Sequence, residues 1–133
     1  MTPRTIGLIA SLSIALPLAA NAHPILDSYR AAARQENPAF KDFSADAGRT
    51  LYTTVGSNQL ACTSCHTDSP KNSGRHAKTN KPIAPMAPSV NPKRFTDQAQ
   101  VDKWFKRNCH DVLGHDCSAQ DKGNFVAYML SVQ

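Results

Sequence analysis

The chain has 133 residues, a formal net charge of +5 and four cysteines. That length suits one small domain with a modest apolar core, which a bulky apolar cofactor would help substantially. The charge is mildly basic, which outside the cytosol favours acidic protein partners or anionic surfaces over nucleic acid.

The opening stretch, "MTPRTIGLIASLSIALPLAANAHP", reads as an export signal. Arg4 supplies a positive start, residues 6–19 are apolar but too short for a comfortable membrane span, and Ala20-Asn21-Ala22 is a small-x-small cleavage site. A buried N-terminal helix fits less well, because helix caps are absent. The reading predicts cleavage after Ala22, a periplasmic domain over residues 23–133 and no retained membrane segment. All four cysteines, at 62, 65, 109 and 117, lie in that domain. An even count in an exported chain invites disulfides, but so few suggest that something else also holds the fold.

From Pro24 to about Glu36 the mixture of apolar and charged residues predicts a short helix, ended by Asn37-Pro38. Ser44 can cap a second helix, "ADAGRTLYTT", with Ala47, Leu51 and Tyr52 on its buried side. Gly48 inside that helix costs about 1 kcal/mol against alanine unless another backbone passes close by. Gly56-Ser57-Asn58 then leads into "CTSCH", Cys62 to His66.

Three chemistries use such a motif. In c-type haem attachment the two thiols form thioethers with the haem vinyl groups and the adjacent histidine ligates the iron. A thioredoxin-like dithiol would open a helix after a strand, and no βαβ unit is readable here. A zinc site would need Cys109 and Cys117, whose separation is wider than the usual ligand pair. The motif together with an export signal therefore points to one covalently bound haem c on Cys62 and Cys65, with His66 as proximal iron ligand. The porphyrin would also supply much of the missing core.

Residues 67–95 hold five prolines and no clear periodicity, which predicts a long functional loop. Between Lys71 and Arg94 it carries Lys71, Arg75, Lys78, Lys81, Lys93 and Arg94 and no acidic residue. These either form a solvated face that partly neutralises haem propionates or make a docking rim for an acidic electron donor. Thr96 or Asp97 can start a third helix, "QAQVDKWFKRN", whose Val101, Trp104 and Phe105 share one stripe. After a turn around Gly114, Ser118 with Asp121 marks the start of a last helix presenting Phe125, Tyr128, Met129 and Val132. No hairpin signal is visible, so the expected class is all-α.

The stretches "GRTLYTT", "CTSCH", "NPKRFTDQAQVDKWFKRNCHDVLGHDC" and "KGNFVAYML" resemble the sphaeroides haem protein family of monohaem cytochromes c, over residues 44–132. "CTSCH" is generic to c-type cytochromes, whereas Trp-Phe-x-x-Asn-Cys followed by a second cysteine is more particular. The resemblance implies a class I cytochrome c-like helical domain whose terminal helices cross, with Gly48 as a close-packing point. It also implies Asn108 as sixth iron ligand, a nearby disulfide, oxygen binding by the reduced haem, and reduction by a dihaem cytochrome c partner.

The residues themselves leave two main candidates for the sixth ligand, with a histidine or no protein ligand as the remaining alternatives. Met86, in "APMAP", looks like the methionine loop of ordinary electron carriers, but it follows His66 closely for a crossing to the opposite haem face. Asn108 lies two turns beyond Val101 and one beyond Trp104, so it continues their stripe, and a polar amide there needs a partner. A plain helix-capping asparagine is the blander reading. His110 should point outward, and His76 and His115 read as surface residues. Cys109 and Cys117 flank "HDVLGHD", where a disulfide would close a small loop beside Asn108 and stabilise by about 2–3 kcal/mol.

Three functions follow in order of preference. The first is an electron-accepting, exported monohaem cytochrome c that binds a diatomic gas, oxygen or nitric oxide, at ferrous haem after Asn108 leaves. The second is a plain His/Met electron carrier using Met86. The third is an enzyme reducing oxygen or nitric oxide with electrons from a dihaem donor.

Overall fold

Helices α1 (Pro24–Glu36), α2 (Ala45–Thr53), α3 (Thr63–His66), α4 (Gln98–Asn108) and α5 (Ala119–Ser131) carry the fold, with a π-helical turn at Cys109–Leu113. The computed structural model describes residues 23–133, so the export signal over 1–22 lies outside the described residues. The class is all-α. One feature was not expected: a two-residue antiparallel ladder pairs β1 (Gly74–Arg75) with β2 (Pro82–Ile83) inside the long loop. No helix among the described residues is long and apolar enough to cross a membrane.

Local chemistry sets the helix ends. Ser44 Oγ accepts from Ala47 N (3.1 Å), and Asp97, rather than Thr96, caps α4 by accepting from Gln100 N (3.0 Å). Ser118 and Asp121 form a reciprocal capping box at α5. Two of these ends are also tied across the molecule. Ser44 N donates to Asn124 Oδ1 (2.9 Å), and Ala119 N donates to Glu36 Oε2 (2.9 Å).

Helix α2 lies across α5, and α1 packs beside it. At the crossing, a Cβ on Gly48 would overlap the Asn124 carbonyl, so this position admits no side chain. The core comprises Ile25, Tyr29, Tyr52, Phe95, Phe125, Val126 and Met129. Phe105 of α4 meets Phe125 edge-on, with centroids 5.4 Å apart, and Tyr29 at 5.9 Å. Tyr29 Oη also donates to Asp102 Oδ1 (2.6 Å), joining α1 to α4.

Two side-chain placements differ from the periodicity. On α2 the buried positions are Gly48 and Tyr52, with Leu51 half-buried and Ala47 exposed. On α4, Val101 and Phe105 pack against the core while Trp104 remains 46% exposed. A stripe about 100° wide has two flanks, and the core covers only the Phe105 and Cys109 side of this one.

Candidate haem site

Helix α3 is a single turn with Cys62 at its N-cap. His66 N and Cys65 N both donate to the Cys62 carbonyl, at 2.9 and 3.2 Å, which places the two sulfurs on one side of the turn. Cys62 and Cys65 are free thiols, half-buried, and Cys65 Sγ accepts from Ala77 N at 3.3 Å. Burial pushes the Cys62 thiol up to about 11. The turn stops at Thr67, a β-branched residue held at φ +64°. Tyr52, fully buried on α2, secures that strained exit by donating to the carbonyls of Thr67 (2.7 Å) and His66 (3.2 Å). The sequence marks Tyr52 only as a core residue, because its partners are backbone atoms.

Burial lowers the His66 imidazole to about 4, and the positive charge of Arg94 acts in the same direction. His66 is therefore neutral at pH 7, the form that ligates iron. Arg94 is half-buried, and its Nε and Nη2 donate to the carbonyls of Pro85 (2.9 Å) and Ala84 (2.7 Å). No carboxylate pairs with it among the described residues, whose ion pairs are Arg30 with Asp27 and Asp42, and Arg107 with Asp111. A partly buried guanidinium without a counter-charge calls for an anion. Two thiols on one turn, a neutral imidazole and a half-buried cation with no carboxylate partner among the described residues fit the vinyl groups, iron and propionates of haem c.

Asn108 is the last residue of α4. It is exposed on the Trp104 flank, its backbone is right-handed (φ −75°) and the C-cap of α4 is Cys109, so it is not a left-handed helix-capping asparagine. The next residue, Cys109, is bonded to Cys117 with Cα atoms 5.8 Å apart. That disulfide removes both cysteines from any four-thiolate zinc set. Met86 is half-buried against the core, and its N–H donates to the Pro70 carbonyl (2.8 Å), which ties it to the segment that follows His66. His110 and His115 are exposed and His76 is half-buried. His76 accepts from Lys78 N (3.2 Å) and Thr79 N (3.3 Å) within a turn.

Residues 38–129 match the family described as "Domain of unknown function (DUF1924)". Cytochrome c'' of Methylophilus methylotrophus is 40% identical over 115 residues, which cover 84% of this chain and 80% of that protein. The cytochrome c-type protein SHP of Cereibacter sphaeroides is 41% identical over 91 residues, 65% of this chain and 70% of that one. The structure of oxidized SHP, an oxygen-binding cytochrome c, superposes with a TM-score of 0.70 at 36% identity, covering 79% of this chain and 91% of the other. Identity at this level across most of both chains, with the same fold, places this protein in the sphaeroides haem protein family of cytochromes c, alongside cytochrome c''.

Proposed function

We propose that this chain is an exported monohaem cytochrome c in which Cys62 and Cys65 hold one haem c through thioethers, His66 ligates the iron, and Asn108 is a labile sixth ligand. Haem so held supplies one-electron transfer and, at the position Asn108 vacates, a site for oxygen or nitric oxide. The protein's part is to choose when that position opens. An amide oxygen is a hard, neutral donor that suits ferric iron better than ferrous. Asn108 would therefore hold ferric iron and release it on reduction, which would open the position to a diatomic gas.

The observation that carries this reading is the end of α4. Asn108 stands one turn past Trp104, is not the C-cap of α4 and runs directly into a disulfide-anchored turn. The oxygen binding named for SHP supports the gas-binding part of this reading. Met86 suits it less well as sixth ligand, because its backbone is fastened to Pro70, just after the proximal histidine. In this reading the mature chain starts at His23 in the periplasm and takes electrons from a cytochrome donor, by family resemblance a dihaem cytochrome c.

Spectra of the holoprotein test the assignment. Asn108→Ala should give a five-coordinate or water-ligated ferric haem with a shift toward high spin, and ferrous carbon monoxide binding should change much less. Met86→Leu should leave both spectra nearly unchanged. A sulfur-to-iron charge-transfer band that disappears only in Met86→Leu would replace this function with that of a His/Met electron carrier.

A further inference from the structure

The π-helical turn Cys109–Leu113 begins immediately after Asn108. Gly114 N closes it by donating to the carbonyls of Cys109 and His110, both at 3.1 Å. Helix ends leave carbonyls without intrahelical donors, and an exposed π turn is an uncommon and poorly self-supporting way to end a helix. In this protein the missing donors come from the segment that leads into the cysteine motif. Asn58 Nδ2 donates to His110 O (3.1 Å) and Asp111 O (3.0 Å). Ser57 donates to Leu113 O through both its Oγ (3.0 Å) and its backbone N–H (3.4 Å).

The approach of the two backbones is close. A Cβ on Gly56 would overlap the Val112 carbonyl, so glycine at 56 is what lets the segments touch. The 56–60 turn is itself closed by Gly56 N donating to Leu60 O (2.8 Å), two residues before Cys62. On its other side the π turn is tied to Cys117 by the disulfide, and Cys109 and Leu113 pack with Leu51 and Phe105. The turn is thus gripped from two directions, and one grip is continuous in sequence with the cysteine-histidine turn.

We infer that Ser57 and Asn58 are positioning residues for the sixth ligand: they clamp the π turn so that Asn108 returns to one place each time the iron changes oxidation state. This rests on the assignment of Asn108 as the labile ligand. The same two side chains connect the strip that precedes Cys62 with the strip that follows Asn108, so both ligand-bearing elements are referenced to one frame. Neither residue touches the cysteines, His66 or Asn108 in the hydrogen-bond network, and neither is part of the core. Their contribution is to ligand return.

Imidazole competes with Asn108 for ferric iron, so its apparent affinity reports how firmly Asn108 holds. In titrations of the ferric holoprotein, Asn58→Ala should tighten imidazole binding by about five-fold, the size expected when a typical net hydrogen-bond contribution is lost. It should also raise the high-spin ferric fraction. Asn58→Asp, of the same shape but without the amide donors, should reproduce the shift. In an Asn108→Ala background, adding Asn58→Ala should change imidazole affinity no further, because the competitor is already gone. An equal effect in both backgrounds would overturn the clamp and leave Asn58 a general stabilising residue. If Asn108→Ala tightens imidazole binding while both Asn58 variants bind as wild type, the clamp is likewise overturned and the Asn108 assignment stands. If Asn108→Ala itself has no effect, it is the ligand assignment that fails. Should the Asn58 variants not mature, Ser57→Ala removes a single side-chain bond and should shift affinity in the same direction by a smaller factor. Wild-type affinity there would count against the clamp.

Discussion

Arg94 concentrates several roles in one side chain. Its fork holds the Ala84 and Pro85 carbonyls, with Asn91 Nδ2 on the same Pro85 oxygen (2.9 Å), and its charge reaches the His66 imidazole. A cation beside the iron ligand opposes the oxidised state and favours the reduced one. Replacing it by glutamine removes that bias and, on the proposed haem arrangement, leaves a propionate without its counter-charge. Arg94→Gln should therefore lower the midpoint potential by tens of millivolts, about 59 mV for each tenfold change in the one-electron equilibrium. Arg94→Lys keeps the charge but not the fork, so its potential should fall less while its thermal stability falls similarly. A redox titration checks this, and an unchanged potential in Arg94→Gln would reduce Arg94 to a brace for the loop.

Among the helices, the α2–α5 crossing is the contact with least tolerance. Gly48 lies against the Asn124 carbonyl, and the same Asn124 receives Ser44 N at the start of α2. Alanine at 48 is the better helix former, yet it has nowhere to place its methyl group. Gly48→Ala should destabilise the holoprotein by about 1–3 kcal/mol, read from denaturant midpoints, because overpacking outweighs the propensity gain. Much of this level was legible beforehand. The Ser44 and Ser118 starts, the α4 start at Asp97 and the cysteine motif are written in neighbouring residues. Ala47 falls outside the buried face because periodicity gives a stripe but not which flank the other helices cover. The turn at Gly114 and the disulfide beside it were legible, but the π form was not, since its donors, Ser57 and Asn58, lie more than 50 residues away in sequence. The β1–β2 ladder escaped for a different reason: two residues per strand, one of them Pro82, carry no alternating pattern. Tyr52 and Arg94 were visible as residues, but their bonds to carbonyls leave no trace in sequence.

At the scale of the whole molecule, charge is unevenly placed. Lys71, Arg75, Lys78, Lys81 and Lys93 are all exposed on the segment that packs around the His66 turn, and none takes part in the ion pairs of the described residues. Such a rim suits an acidic donor. Reduction by an acidic cytochrome should slow as ionic strength rises, since exposed charges are screened over about 10 Å at 0.1 M salt. Reversing Lys71, Lys78 and Lys81 to glutamate should lower the bimolecular rate in stopped-flow mixing and flatten its salt dependence. Equal rates in both proteins would leave the rim an ordinary solvated face. The disulfide has a consequence of another kind, for biogenesis. On the proposed reading the four thiols meet opposite fates in one oxidising compartment: two must join to each other and two must stay reduced until they acquire the cofactor. In the folded chain Cys109 and Cys117 are 5% and 8% exposed, whereas Cys62 and Cys65 stay partly accessible on their turn. Packing in the folded chain therefore shields the finished disulfide from a reductant more than it shields the motif, which separates the two cysteine pairs by accessibility alone.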